Sequence, residues 1–432
     1  MSHRLARRSF LRCSAMILAA PAVLRSGVWG AEVSPNDRIE LGFIGMGTQG
    51  RGLLGNCLRR GNVRVVGVCD VDGDRRENAR RMVDDHYAKE AGGSGRGGCH
   101  AAEDFRELLA RPGLDGVVIA TPDHWHAWIG IAAAKAGKDI YCEKPLTQSI
   151  REARELVRAV RRHERVLQVG SMQRSSREFR RACQLVRNGA IGKVEEIEVG
   201  VGGPGRWCDL PEEAAQPGLN WDLWLGPARW RPYHSELSPR GVHRHFPNWR
   251  NYREYGGGMV TDWGAHHFDI AQWAMGMDES GPVEVLPADR PDAQSGVSYR
   301  YANGTVVRHV SGNGVTFHGS GGRIRVNRGQ FQSNPESLVE IPLTSHAVQL
   351  YESNDHIGDW LTCMRTRKRP ICDVEVGART VSVCHLVNLA YWTGLRLKWD
   401  PSAERFVGGT GDDAWKDLGY REPWTLERAI AG

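Results

Sequence analysis

With 432 residues, 57 Lys and Arg against 51 Asp and Glu, and a formal net charge of +6, the chain is long enough for two domains with cores of their own. Part of the charge excess lies in the N-terminal arginines and the remaining bases are interleaved with acids, so nucleic acid is not a favoured partner. Beyond the N-terminus no apolar run approaches the ~18 residues of a membrane span, and the ten cysteines are scattered without a CxxC pair, which argues against a zinc site or a disulfide framework.

The first segment carries Arg7-Arg8-Ser9-Phe10-Leu11, then an apolar run from Ala15 to Leu24 and small residues at Gly30-Ala31. That order is the order of a twin-arginine export signal, so residues 1–31 are set aside from the fold and the expected location is periplasmic or otherwise exported. Proteins that use this route fold, and often take up a cofactor, before crossing.

Residues 36–172 alternate strand and helix patterns: strands at 39–47, 63–70, 116–122, 139–145 and 166–170, and helices at 49–60, 74–91, 124–137 and 149–163. Alternation of this kind predicts the α/β class, a doubly wound parallel sheet of Rossmann type. The glycine-rich stretch 91–99 reads as a surface loop within it. After residue 172 the pattern changes to a helix at 175–188, a strand "VEEIEVGVGG", a long tryptophan-rich stretch, and a helix after Gly258. Short strands follow, with hairpin signals at Asn303-Gly304 and Asn313-Gly314. Residues 173–432 are therefore expected to form an α+β domain on a mostly antiparallel open sheet, used for substrate binding and oligomerisation.

Gly45, Gly47 and Gly50 fit G-x-G-x-x-G between the first strand and the first helix. The first allows the tight turn, the second lets backbone approach a pyrophosphate, and the third lets helix and strand pack closely. Asp70 ends the next strand, twenty residues beyond Gly50, where a carboxylate accepts hydrogen bonds from a ribose and repels a 2′-phosphate. NAD is thus expected over NADP, although Arg75 and Arg76 blur the preference. The stretches "ATPDHWHAW" and "YCEKPLT" end the third and fourth strands, where ligands bind in open α/β sheets. Lys144, held before Pro145, either hydrogen-bonds a substrate hydroxyl or is a solvated lysine beside Glu143.

The stretch "VIATPDHWHAWIGIAAAKAGKDIYCEKPLTQSIREARELV" resembles the cofactor domain of the Gfo/Idh/MocA family, and the likeness returns at 253–275. The resemblance implies that Lys144 is a catalytic or substrate-orienting lysine and that His126 lies near the nicotinamide. It completes an expected cofactor set of Gly45, Gly47, Thr48, Gly50, Asp70, Thr121, Pro122, His126, Glu143 and Lys144.

In "GGGMVTDWGAHHFDIAQWAMG", read as one helix entered through glycines, Asp262, His266 and Asp269 share a face. A histidine beside a carboxylate can act as a general base near neutral pH. The resemblance gives Asp-x-x-x-His that task, with His266 as base and Asp262 as orienter or substrate ligand. Adjacent histidines point apart on a helix and no HExxH element is present, so no metal is expected. Trp207, Trp221, Trp224, Trp230 and Trp249 crowd the long stretch, and at least two are expected to face a saccharide; they could equally anchor the loop or bury a subunit interface. The expected substrate contacts are Arg174, Trp224, Trp249, Asp262 and His266.

The expectation is an exported oxidoreductase moving hydride between a sugar or polyol carbon and a tightly held, internally recycled cofactor, in a homo-oligomer. The runner-up is a redox-neutral glycosidase acting through a transient keto-sugar. Family glycosidases carry their histidine in a Tyr-Pro-Thr-His-Gly-like segment, which this chain replaces with "MVTDWGAHH". A non-catalytic sugar-binding protein is disfavoured by the presence of both Lys144 and His266.

Overall fold

The computed structural model describes residues 37–90, 98–342 and 346–431, so the twin-arginine segment and most of the glycine-rich loop lie outside the described residues. The architecture below is that of the unit Ile39–Gly432. The chain runs through β1 (Ile39–Ile44), α1 (Thr48–Leu58), β2 (Val63–Cys69), α2 (Gly73–Glu90), β3 (His100–Ala102), α3 (Phe105–Leu109), β4 (Gly116–Ile119), α4 (His126–Lys135), β5 (Asp139–Cys142), α5 (Ile150–Arg162) and β6 (Leu167–Val169). The strands form a parallel sheet in the order β3-β2-β1-β4-β5-β6. β4 and β5 are buried at every residue, as a sheet covered on both faces requires. The order reverses between β1 and β4, which opens a crevice at their carboxyl ends. Helix α5 starts on a capping box, Ser149 with Glu152, which fixes the chain just after the Glu-Lys-Pro turn. β3 and α3 carry no signal in the sequence pattern. β3 is only His100–Ala102, too short and polar for a strand pattern, and pairing with β2 makes it one.

Beyond β6 come α6 (Arg177–Arg187), β7 (Val194–Gly200), α7 (Trp221–Leu225), α8 (Met259–Asp262) and α9 (Gly264–Met275). Then follow β8 (Glu284–Leu286), β9 (Ser298–Arg300), β10 (Val306–Val310), β11 (Gly314–Gly319), β12 (Gly322–Asn327) and β13 (Gln330–Asn334). The chain ends with α10 (His356–Thr366), α11 (Val374–Thr393), β14 (Leu397–Asp400), β15 (Arg405–Phe406) and α12 (Leu426–Ala431). The second sheet has the order β13-β12-β11-β7-β10-β9-β8-β14-β15 and is antiparallel except where β10 runs parallel to β7.

Asn303-Gly304 does turn a hairpin, between β9 and β10. Asn313-Gly314 does not: β10 and β11 lie on opposite sides of β7 and never pair. The local turn is present, but a strand from more than a hundred residues earlier occupies the place between its arms.

Two helices from the end of the chain cover the parallel sheet. Trp360 of α10 is fully buried against Tyr141 of β5, ring centroids 5.7 Å apart, and α12 packs on α4 and α5. Helix α11 joins the two layers, its Val374 and Val381 in the core under the parallel sheet and its Cys384 and Leu386 in the core of the second sheet. That bridge holds the mouth of the crevice against α8 and α9.

Candidate active site

The turn leaving β1 is built for close approach. Gly45 has φ +89°, and a Cβ there would sit 2.6 Å from the backbone of Ala120 and Thr121. At Gly50 it would lie 1.9 Å from the Gly45 carbonyl, so helix and strand can meet only through glycine. Gly47 is the opposite case: a Cβ would meet nothing within 4 Å, and the backbone at the start of α1 faces open space, where a pyrophosphate is held by helix N–H groups. Asp70, at the end of β2, is buried and accepts the Met46 N–H at 2.6 Å and the Asp72 N–H at 2.9 Å. Burial raises its pKa, with the Arg75 charge opposing. A cleft of about 820 Å³ opens over these groups and is lined by Gly45, Gly47, Thr48, Asp70, Thr121, Pro122, Trp224 and Trp249. The bare backbone at Gly47 and the carboxylate at Asp70 fit a dinucleotide.

The outer wall of the cleft comes from the second half. Thr48 Oγ1 donates to the His245 carbonyl at 2.8 Å, Arg51 to the His243 carbonyl, and Arg75 to the Gly241 carbonyl at 3.2 Å and to that of Pro239. These donors hold segment 239–245 as a strap across the phosphate turn. Arg75 is thereby engaged by protein, and Arg76 donates to the Asp70 carbonyl at 2.7 Å. The strap carries no signal in the sequence, because its contacts are to backbone oxygens, which no motif encodes.

A second cavity of about 1100 Å³ adjoins the cleft, sharing Gln49, Thr121, Trp249 and Arg250 with it. Lys144, Asp262 and His266 all line it, so residues from the two halves meet in one place. Lys144 Nζ donates to Asp262 Oδ1 at 2.6 Å and to the Asp262 carbonyl at 3.1 Å. Arg250 Nε stands 3.4 Å from the same Oδ1 and stacks on Trp249 at 4.1 Å. Burial alone would raise the Asp262 pKa, but the charges of Lys144 and Arg250 outweigh it and hold the group ionised. His266 is buried; desolvation first, then the charges of Lys144 and Arg328, hold its pKa well below the ordinary 6.5, so the ring is neutral at physiological pH. Among the described residues its Nδ1, itself buried, has no hydrogen-bond partner. Glu143 takes the Gln49 amide at 2.8 Å, and burial raises its pKa. The Lys144–Pro145 peptide is cis.

Several expected roles change. Asp262 does not orient His266; it pairs with Lys144, because the segment is two helices broken at Trp263 rather than one. His126 does not face the cavity: its ring nitrogens lie 2.8 Å from the Pro145 carbonyl and 3.0 Å from that of Thr121, so it ties the two strand-end turns together. Arg174 is not a substrate contact. It is 1% exposed and forked between Asp269 and Asp278. Asp269 turns to it and away from the cavity. His267 points to the Gly200 carbonyl at 2.9 Å, and among the described residues no group of three His, Cys, Asp or Glu could hold a metal.

Of the tryptophans, Trp249 reaches both the cleft and the cavity, whereas Trp224 lines only the cofactor cleft and stacks on Trp221 with centroids 4.6 Å apart. Trp207 and Trp230 are largely exposed. Among the cavity residues that went unforeseen are Asp123, Arg250, Trp263 and Arg328. Asp123 and Trp263 stand inside the quoted motifs, at a strand end and before the histidine pair. Arg328 sits at the tip of the β12–β13 hairpin and carried no signal of its own.

Comparison with known proteins bears on this geometry. Residues 39–171 match the profile described as "Oxidoreductase family, NAD-binding Rossmann fold", and residues 204–426 match "Oxidoreductase family, C-terminal alpha/beta domain", the two halves of Gfo/Idh/MocA. A Glycosyl hydrolase family 109 protein of Stenotrophomonas maltophilia is 27% identical over 236 residues, 53% of this chain and 50% of that protein. Myo-inositol 2-dehydrogenase of Thermotoga maritima is 23% identical over 251 residues, 58% of each chain. The chain spans about half the length of these curated relatives. Among solved structures, aldose-aldose oxidoreductase from Caulobacter crescentus, complexed with glycerol, shares the fold with a TM-score of 0.57 at 18% identity, covering 84% of this chain and 99% of that one.

Proposed function

The chain belongs to the Gfo/Idh/MocA oxidoreductase family, and from that premise we propose that it oxidises a hydroxyl of a sugar or polyol in the cavity shared by Lys144 and His266 and returns the hydride to the carbonyl of a second sugar, so that NAD is held through the whole cycle. The carrying observation is that Lys144, from the parallel-sheet half, and His266, from α9, line one cavity that adjoins the glycine-turn cleft. NAD bound in that cleft supplies the two-electron acceptor for the substrate C–H bond.

The chain's own residues do the rest. Lys144 Nζ, aimed by Asp262, donates to the substrate oxygen and stabilises the negative charge that develops there. Neutral His266, which lines the same cavity, accepts the hydroxyl proton. Arg250 on Trp249 walls the cavity beside them.

Cofactor retention is supported by the strap, since leaving the cleft requires breaking the bonds of Thr48, Arg51 and Arg75 to segment 239–245. It also suits the twin-arginine route read from Arg7-Arg8-Ser9-Phe10-Leu11, because no nicotinamide pool exists outside the cytoplasm to replace lost cofactor. Protein purified without added nucleotide and then denatured is expected to release about one NAD(H) per chain. Arg75→Gln should shed it on dialysis, and a wild-type protein that comes out empty would end the retained-cofactor proposal.

The similarity to glycosyl hydrolase family 109 proteins favours a second reading, redox-neutral glycoside cleavage. Release of aryl alcohol from aryl glycosides with no second sugar reduced would select it; oxidation of one free sugar coupled to reduction of a second would select the first.

A further inference from the structure

Asp123 lines the catalytic cavity, and its neighbour His124 lines a different one of about 850 Å³. Trp207, Trp392, Trp415 and Tyr420 form much of its wall, and Arg229 and Arg253 face it. The Arg253 guanidinium is clamped between two indoles, 4.1 Å from the Trp207 centroid and 3.7 Å from that of Trp392. Among the described residues it has no hydrogen-bond acceptor and no ion-paired acid.

A guanidinium taken partly out of water and left without an acceptor is costly, so a half-buried one is ordinarily paired. Here two indoles lie against the guanidinium, and its N–H groups have no protein acceptor among the described residues; they form the fork that takes a carboxylate or sulfate with two parallel bonds. Burial draws the Arg253 pKa down to about 10, with the Glu254 charge opposing. Two acids also face the cavity. Both Glu254 oxygens accept the Cys208 N–H at 3.1 Å. Glu152 is committed to the Gln148 and Ser149 N–H groups, and burial pushes its pKa up to about 8, so it is mostly neutral at pH 7. Arg229 and Arg253 thus face the cavity beside aromatic surface, and aromatic faces suit the C–H face of a sugar.

We propose that this cavity is a second binding site for a sugar ring bearing an anionic group, a carboxylate or a sulfate ester, with the Arg253 edge on the anion and Trp415 and Tyr420 along the ring. The proposal does not rest on the catalytic assignment.

The test is calorimetric titration of the full chain with glucuronic acid, glucose 6-sulfate and glucose. At least one of the anionic sugars is expected to bind about ten-fold or more tightly than glucose, the difference one charge-assisted bond supplies. Whichever binds more tightly identifies the anion. Arg253→Gln and Trp207→Ala should each abolish the preference, while His266→Asn, in the catalytic cavity, should leave it intact. Trp207 is 59% exposed, so its removal leaves the core whole even if Arg253→Gln fails to fold. Equal affinity for glucose, no saturable binding, indifference to Trp207→Ala, or loss of the preference in His266→Asn overturns the proposal.

Discussion

Lys144→Ala is expected to lower kcat by about 10²- to 10³-fold, the usual cost of removing one donor aimed at a developing oxyanion, with KM changed far less. Lys144 Nζ lies 2.6 Å from Asp262 Oδ1 and donates more strongly to an alkoxide than to a hydroxyl, so its loss falls on the transition state. The fold should survive, because Arg250 Nε remains 3.4 Å from Asp262 and keeps that buried carboxylate paired. The pH profile provides a second readout. Burial and the Lys144 charge both depress the His266 pKa, so removing the lysine raises it. The residual activity of the variant should begin to fall at a higher pH than that of the wild type as the solution is acidified, because a raised pKa means the base is protonated sooner. Unchanged kcat with an unchanged acid limb would remove Lys144 from the chemistry.

What was legible in the sequence was whatever depends on local pattern. The long parallel strands announce themselves as apolar runs because both faces are buried, and the glycine turn is legible because a Cβ at Gly45 or Gly50 would collide with backbone. Strand ends are legible too, which is why Lys144 and the stretch around Asp123 were placed at the crevice. Side-chain direction at those ends was not. The short 3-10 turn Asp123–Trp125 puts Asp123 on the cavity and swings His126 into the backbone of Thr121 and Pro145. A second such turn, Met172–Ser175, carries Arg174 inward in the same way. Pairing over long separations was also out of reach: β7 between β10 and β11, Thr48 and Arg51 on the strap nearly two hundred residues away, and Arg328 arriving from a hairpin tip. These contacts exist only once both sheets have formed.

Arg174→Met should destabilise the protein by about 3–5 kcal/mol, the cost of breaking a buried pair by removing one partner, and leave the KM of the folded enzyme unchanged. Arg174 Nε and Nη2 each donate to Asp269 at 2.8 Å, and Nη2 donates to Asp278 at 2.7 Å, while the guanidinium lies 5.1 Å from the centroid of Trp273. The side chains of Arg174 and Asp269 are each 1% exposed. Burial raises the Asp269 pKa even with Arg174 in place; Asp278, 30% exposed, is held below the usual carboxylate range because Arg174 outweighs its desolvation. Without the arginine, Asp269 keeps only the Thr380 hydroxyl at 2.9 Å and must be protonated or hydrated. That cost corresponds to a melting temperature lowered by roughly 5 °C. Adding Asp269→Asn to Arg174→Met removes the orphaned charge and should recover a large part of the loss, a coupling that two independent sites would not show. A substrate ligand would behave otherwise: Arg174→Met would raise KM at an unchanged melting temperature, and Asp269→Asn would not rescue it.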